Sequence, residues 1–192
     1  LGSYFGSDHY DLKPDLMAIA KGLTSAYLPL SGSIVSERVW KALEAGTDKL
    51  GAFGHGWTYS AHPISAAAGV ANLELIDKLG LVANAKEVGA YLNRSLGEAL
   101  KGERLVGEVR GEGMLAAVEL VADRSKRRLF DPPFKVAPRV TAAMLEKGVI
   151  ARAMPEADII GFAPPLCLTR AEADTIVAAT AESIREIGRT IG

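Results

Sequence analysis

An α/β fold is predicted for this chain, from three observations. A short apolar run, Leu16-Met17-Ala18-Ile19-Ala20, sits between Pro14 and Lys21-Gly22. It is too short for a typical helix and has no polar face, so it reads as a buried strand of an open sheet. Longer alanine- and leucine-rich segments at 64–79 and 81–100 read as helices, the second with Leu81, Ala85, Val88, Leu92, Leu96 and Leu100 on one face. Beyond about residue 101, short strand patterns alternate with helical ones, as in a separate small unit.

The remaining elements follow in order. Residues 1–14 read as loop, and 22–29 as a turn-rich connection. A second strand is expected over 30–35. Ser36 suits a helix N-cap, with Glu37 in the first turn, a helix to about Leu43 and Gly46 past its end. Residues 51–60 form a glycine-punctuated aromatic loop. Pro63 suits the first position of the next helix, which Gly80 ends. Strands are expected at 105–109 and 114–121, with Arg110 in the hairpin turn between them. Residues 123–133 are a charged excursion in which Lys126, Arg127 and Arg128 read as a solvated face. A short helix over 136–146 precedes Gly148, and strands are expected at 149–152 and 158–163. Thr169 and Glu172 have capping-box spacing, opening a helix with Ala173, Ile176, Val177, Thr180, Ile184 and Ile187 on one face.

Composition bounds the function. The chain has 192 residues, 48% of them hydrophobic, and a formal net charge of -1. That length supports one large or two small cores. Balanced charge with high apolar content excludes disorder by composition. Without a basic excess there is no electrostatic case for nucleic acid or an acidic membrane surface. The single Cys167 excludes an internal disulfide framework and a cysteine-based metal site. A reducing cytoplasm fits, and neither a secretory signal nor a spanning segment is read. The chain opens at Leu1 rather than Met, and Leu1-Gly2-Ser3-Tyr4-Phe5-Gly6 reads like the middle of a longer protein.

Three features carry chemistry. Lys21 ends a strand, where ligands gather in open α/β sheets. Partly desolvated there, its amine would favour the neutral form and attack a carbonyl. The loop 54–60 offers glycine amides and the hydroxyls of Thr58 and Ser60 ahead of a helix start, a phosphate-binding combination. Arg152 at a strand end suits two-pronged capture of a carboxylate. Taken singly, each also fits a plain reading: a surface lysine, a glycine turn, a surface arginine. Trp57 and Tyr27 fit either a pocket wall or core packing. His55 and His62 read as loop and helix-start residues, with no chemical role.

Together, and in this order, these segments resemble the class III, omega-type aminotransferases, which use pyridoxal phosphate. Residues 13–23, Lys-Pro-Asp-Leu-Met-Ala-Ile-Ala-Lys-Gly-Leu, look like that family's cofactor-lysine motif. Gly56-Trp57-Thr58-Tyr59-Ser60-Ala61-His62-Pro63 looks like its loop of a hydrophobic residue followed by Thr-Tyr-Ser-x-His-Pro. Val109-Arg110-Gly111-Glu112-Gly113-Met114 and Phe162-Ala163-Pro164-Pro165-Leu166 look like its C-terminal signatures. The likeness is strongest to pyruvate-using omega-transaminases, through residues 24–29 and 152–165. By this resemblance, 1–80 is the C-terminal part of the large domain of a fold-type I enzyme. Residues 81–192 are then an interdomain helix and a small α+β domain. Lys21 would carry the cofactor aldehyde as a Schiff base and then shuttle the substrate proton. Thr58 would bind the phosphate in the neighbouring subunit's site, which implies a homodimer with shared active sites. Arg152 would bind a substrate carboxylate and swing away for an uncharged amine, although 153–158 is longer than the usual family loop. Trp57 and Tyr27 would shape the pocket.

The resemblance also implies an upstream half, holding a glycine-rich phosphate loop, a stacking aromatic and an aspartate for the pyridine nitrogen. Without it, residues 1–192 are expected to expose a sheet edge and not to be a stable catalyst. The expected partners are an amine donor and a 2-oxo acid acceptor, with pyruvate leading. Within the fold the alternatives are an aminomutase or a transaminase using 2-oxoglutarate. From another class, the alternative is a non-catalytic assembly piece. A nucleotide-binding oxidoreductase is disfavoured, since no Gly-x-Gly-x-x-Gly follows a strand.

Overall fold

The computed structural model describes residues 1–191. It divides into two compact units, Phe5–Gly80, and Leu1–Tyr4 with the chain from Leu81 onward.

The unit Phe5–Gly80 holds α1 (Gly6–His9), β1 (Leu16–Ile19), a 3-10 turn at Lys21–Leu23, β2 (Gly32–Val35), α2 (Glu37–Leu50) and α3 (Pro63–Lys78). β1 and β2 are antiparallel, with Leu16 opposite Val35 and Ile19 opposite Gly32. The sequence suggests a buried central strand, and the structure corrects this: β1 alternates exposed and half-buried residues. A strand is buried on both faces only when layers cover both, and β2 is its one sheet neighbour among the described residues. β2 starts at Gly32 rather than at residue 30, because Leu30 turns toward α3; a Cβ on Gly69 would lie 2.7 Å from Leu30 Cδ2. Ser36 caps α2, its hydroxyl accepting from Val39 N at 3.4 Å. α2 runs through Gly46 to Leu50, well past residue 43. An interior glycine weakens a helix by about 1 kcal/mol without having to end it. Gly51, at φ +88°, ends it instead.

In the second unit, α4 (Leu81–Ala99), α5 (Val136–Glu146) and α6 (Arg170–Ile191) pack with a four-stranded antiparallel sheet. Its strands are β3 (Val106–Glu112), β4 (Leu115–Leu120), β5 (Arg152–Ala153) and β6 (Ile159–Phe162), ordered β3-β4-β6-β5. α4 and α5 lie on the sheet, and α6 packs against both helices. The α4 face is buried from Ala85 through Val88, Leu92, Leu96 and Leu100. Ala116, Val118 and Leu120 alternate inward from β4, and Met144, Ile160 and Ile184 complete the core. α6 opens on the Thr169–Glu172 capping box, with Thr169 N donating to Glu172 Oε2 at 2.8 Å and Glu172 N donating to Thr169 Oγ1 at 3.3 Å. The Thr169 N bond, and a second from Thr169 Oγ1 to Glu172 Oε2 at 2.8 Å, hold the Glu172 carboxyl below its ordinary range.

Arg110 is not in the hairpin turn. It lies within β3 opposite Ala117, and its Nη1 donates to Glu108 at 2.7 Å and Glu119 at 2.8 Å on the outer sheet face. The turn falls three residues later at Gly113, whose φ of +55° suits a two-residue hairpin loop. Gly89 on α4 meets that turn: a Cβ there would lie 2.2 Å from the Gly113 carbonyl carbon. The strands expected over 149–152 and 158–163 are observed as β5, Arg152–Ala153, and β6, Ile159–Phe162, and Met154 N donates to Ile159 O at 2.8 Å across their connection. Lys126, Arg127 and Arg128 are exposed.

Candidate functional site

β1 ends at Ile19, Ala20 is extended, and Lys21 enters the 3-10 turn with φ +53°. Ser25 (φ +48°) and Ala26 (φ +65°) share that left-handed region. Each such non-glycine residue costs about 1–3 kcal/mol and persists only where its surroundings over-determine it. Here the bracing comes from α3. Asn72 Nδ2 donates to Gly22 O at 2.8 Å and to Leu23 O at 3.1 Å, and its Oδ1 accepts from Ser25 Oγ at 2.8 Å. Thr24, only 3% exposed, closes the other side by donating from Oγ1 to Leu28 O at 2.5 Å.

Lys21 itself is exposed. The partial desolvation expected of its amine is not seen among the described residues. Among the described residues its Nζ has no hydrogen-bond or ion-pair partner, whereas Lys41 and Lys147 are paired with Glu37 and Glu186.

The entry to β1 is anchored separately. Ser36 Oγ donates to Asp15 Oδ1 at 2.6 Å, Arg38 Nε donates to the same oxygen at 3.2 Å, and Arg38 Nη2 donates to Oδ2. The Arg38 guanidinium first, and Ser36 second, hold the Asp15 carboxyl below its ordinary range. The stability this linkage gives is complete above the unfolded value of about 3.9 and is lost as pH falls through the lowered folded value. Asp15→Asn is expected to flatten that acid limb of the urea midpoint against pH, and an unchanged limb would assign it to other carboxylates.

The loop ahead of α3 carries Trp57 and Thr58. Trp57 N donates to Ser60 Oγ at 3.0 Å, and the His55 ring meets the Trp57 ring edge-on at 5.4 Å. Trp57 is 74% exposed and Tyr27 87%, so neither packs into a core here. Thr58 is exposed, and its hydroxyl has no partner among the described residues. His62 occupies the N-cap position of α3 without a side-chain cap bond. Lys21, Tyr27, Trp57 and Thr58 all belong to Phe5–Gly80. Arg152 belongs to the other unit, in β5 opposite Gly161, exposed and with a guanidinium lacking a partner among the described residues.

Asn72, Asp15 and Arg38 escape sequence reasoning. The available signal for Asn72 is a single amide within an alanine- and leucine-rich helix. Among the described residues no group of His, Cys, Asp and Glu could hold a metal ion, and no helix is long and apolar enough to cross a membrane. An unengaged amine on a braced turn and an unengaged hydroxyl ahead of a helix start suit a cofactor with an aldehyde and a phosphate.

Comparison with known proteins agrees. The family described as Aminotransferase class-III matches residues 1–184. The chain is 57% identical over 186 residues to the diaminobutyrate--2-oxoglutarate transaminase of Halomonas elongata, covering 97% of this chain and 40% of that protein. It is 53% identical to an uncharacterized aminotransferase of Sinorhizobium fredii, with 97% and 40% covered. A structure from the directed evolution of transaminases by ancestral reconstruction superposes with a TM-score of 0.97 at 56% identity, covering 100% of this chain and 42% of that one. A thermostable (S)-enantioselective omega-transaminase from Thermomicrobium roseum gives a TM-score of 0.87 at 39% identity, covering 97% and 40%. The α/β fold is that of fold-type I transaminases. The chain spans about 40% of the length of these curated relatives. It belongs to the class III aminotransferases, a family that depends on pyridoxal phosphate.

Proposed function

We propose that the complete protein is a transaminase that moves an amino group from an amine or omega-amino acid to pyruvate or another 2-oxo acid. The observation that carries this reading is the Lys21 amine, without a partner among the described residues, on its braced left-handed turn, within a chain matched to the family over residues 1–184. Bound pyridoxal phosphate supplies the electron sink. Lys21 Nζ would hold the cofactor through its aldehyde, with loss of water, and, once displaced by the substrate's amine, would take and return the proton of the substrate's reacting carbon. The Thr58 hydroxyl donates to the phosphate, in the site of the neighbouring subunit of a homodimer. The Arg152 guanidinium holds the substrate carboxylate through paired hydrogen bonds and moves aside for an uncharged amine. Trp57 and Tyr27 wall the pocket. The large domain is completed by the segment upstream of Leu1, and the enzyme works in the cytoplasm.

A second reading, with 2-oxoglutarate as acceptor, is favoured by the name of the Halomonas elongata relative. Acceptor profiling separates the two. Turnover with pyruvate alone supports the first, and turnover with 2-oxoglutarate alone replaces it by the second. No turnover with any 2-oxo acid contradicts transamination. Arg152→Ala is expected to raise KM for the 2-oxo acid about 10- to 100-fold while sparing turnover of an uncharged amine, because a charge-assisted pair is lost. An unchanged KM would remove Arg152 from the substrate site.

A further inference from the structure

We infer that Asn72 is a positioning residue for Lys21, an inference that rests on Lys21 being the cofactor-binding lysine. Lys21, Ser25 and Ala26 are all left-handed, so the segment between them does not hold its shape by local preference. One side chain ties it to a rigid helix. Asn72 uses both its donor hydrogens on the successive carbonyls of Gly22 and Leu23, and its oxygen on the Ser25 hydroxyl. The partners fix which way the amide points, since two carbonyls accept only from Nδ2.

These bonds set the path of the chain as it leaves Lys21, and with it the direction of the Lys21 Cα–Cβ bond. Gly69, one turn earlier on α3, faces the same segment: a Cβ there would meet Leu23 O at 3.7 Å, an ordinary contact, and the end of the Leu30 side chain at 2.7 Å. The clamp holds two backbone carbonyls and the Ser25 hydroxyl, and makes no bond to the Lys21 amine. A flexible turn would let Nζ wander, whereas a braced one delivers it to a single place, and misplacement of a reacting group by an ångström is costly in rate.

The experiment uses the complete protein, stripped of cofactor and then given pyridoxal phosphate. The rate at which Lys21 captures the aldehyde is followed by the visible absorption band. Borohydride reduction and peptide mapping identify the lysine, and visible circular dichroism reports how the bound cofactor is oriented. Asn72→Leu keeps the bulk and removes the hydrogen bonds. Asn72→Asp keeps the acceptor for Ser25 and removes both donors, and it carries the test if Asn72→Leu does not fold. Either variant is expected to slow capture by at least about tenfold and to alter the circular-dichroism band, with Lys21 still the labelled residue. Ser25→Ala, which removes one of the three bonds and leaves both carbonyl bonds in place, is expected to slow capture less than either Asn72 variant. Variants that fold and capture cofactor at the wild-type rate with an unchanged band would overturn the role of Asn72. A wild-type protein that captures cofactor at some other lysine would instead overturn the reading of Lys21 itself.

Discussion

Replacing Lys21 with arginine is expected to lower kcat of the complete enzyme by at least about 10³-fold. Arginine keeps a positive charge and similar length, but it stays protonated and cannot attack an aldehyde or relay the substrate proton. The loss should come without unfolding. Lys21 is exposed, and its amine makes no contact that the fold relies on among the described residues. The urea midpoint should therefore stay close to wild type while single-turnover rates collapse. Lys13 supplies the control: eight positions earlier in the same motif, it forms among the described residues only an exposed pair with Asp11 at 3.9 Å. Lys13→Ala should leave kcat near wild type. A Lys21→Arg enzyme within tenfold of wild type would transfer the chemistry to another group.

The largest effect on stability is expected in the second unit. Leu92 is fully buried on α4, among Leu96, Val118 and Met144 of the same core. Leu92→Ala is expected to destabilise the protein by about 3 kcal/mol, through lost transfer energy and a cavity that the helix cannot close. Leu92→Met, which preserves volume, should cost less than about 1.5 kcal/mol. Leu50 is the contrast, since it is 89% exposed, and Leu50→Ala should fall within about 0.5 kcal/mol of wild type. Denaturant midpoints of the three variants give the ranking. Equal costs for Leu92→Ala and Leu50→Ala would mean that this core does not carry the unit's stability.

The elements legible in the sequence are those whose pattern is local. The 3.6-residue stripe of α4, the span Val136–Glu146 of α5 and the Thr169–Glu172 cap depend on neighbours within a few turns, and the structure places them where the spacing does. β1 was legible as a strand but not in its burial, because burial is set by what lies across the faces rather than by the run itself. Arg110 was misplaced for a similar reason. Its position depends on Glu119 in the facing strand, and only Gly113 has the backbone that the turn requires. At the site, Lys21 and Thr58 are conspicuous through motif chemistry. Asn72 is not, since its partners lie 47 to 50 positions away and no short-range pattern links them.

The measurement that tests the central claim most directly is borohydride reduction of the complete protein with pyridoxal phosphate, followed by peptide mapping. A pyridoxyl group on Lys21 and on no other lysine is the expected result. Reduced, cofactor-treated protein with Lys21 unmodified would contradict the assignment and leave this chain as a non-catalytic member of its family.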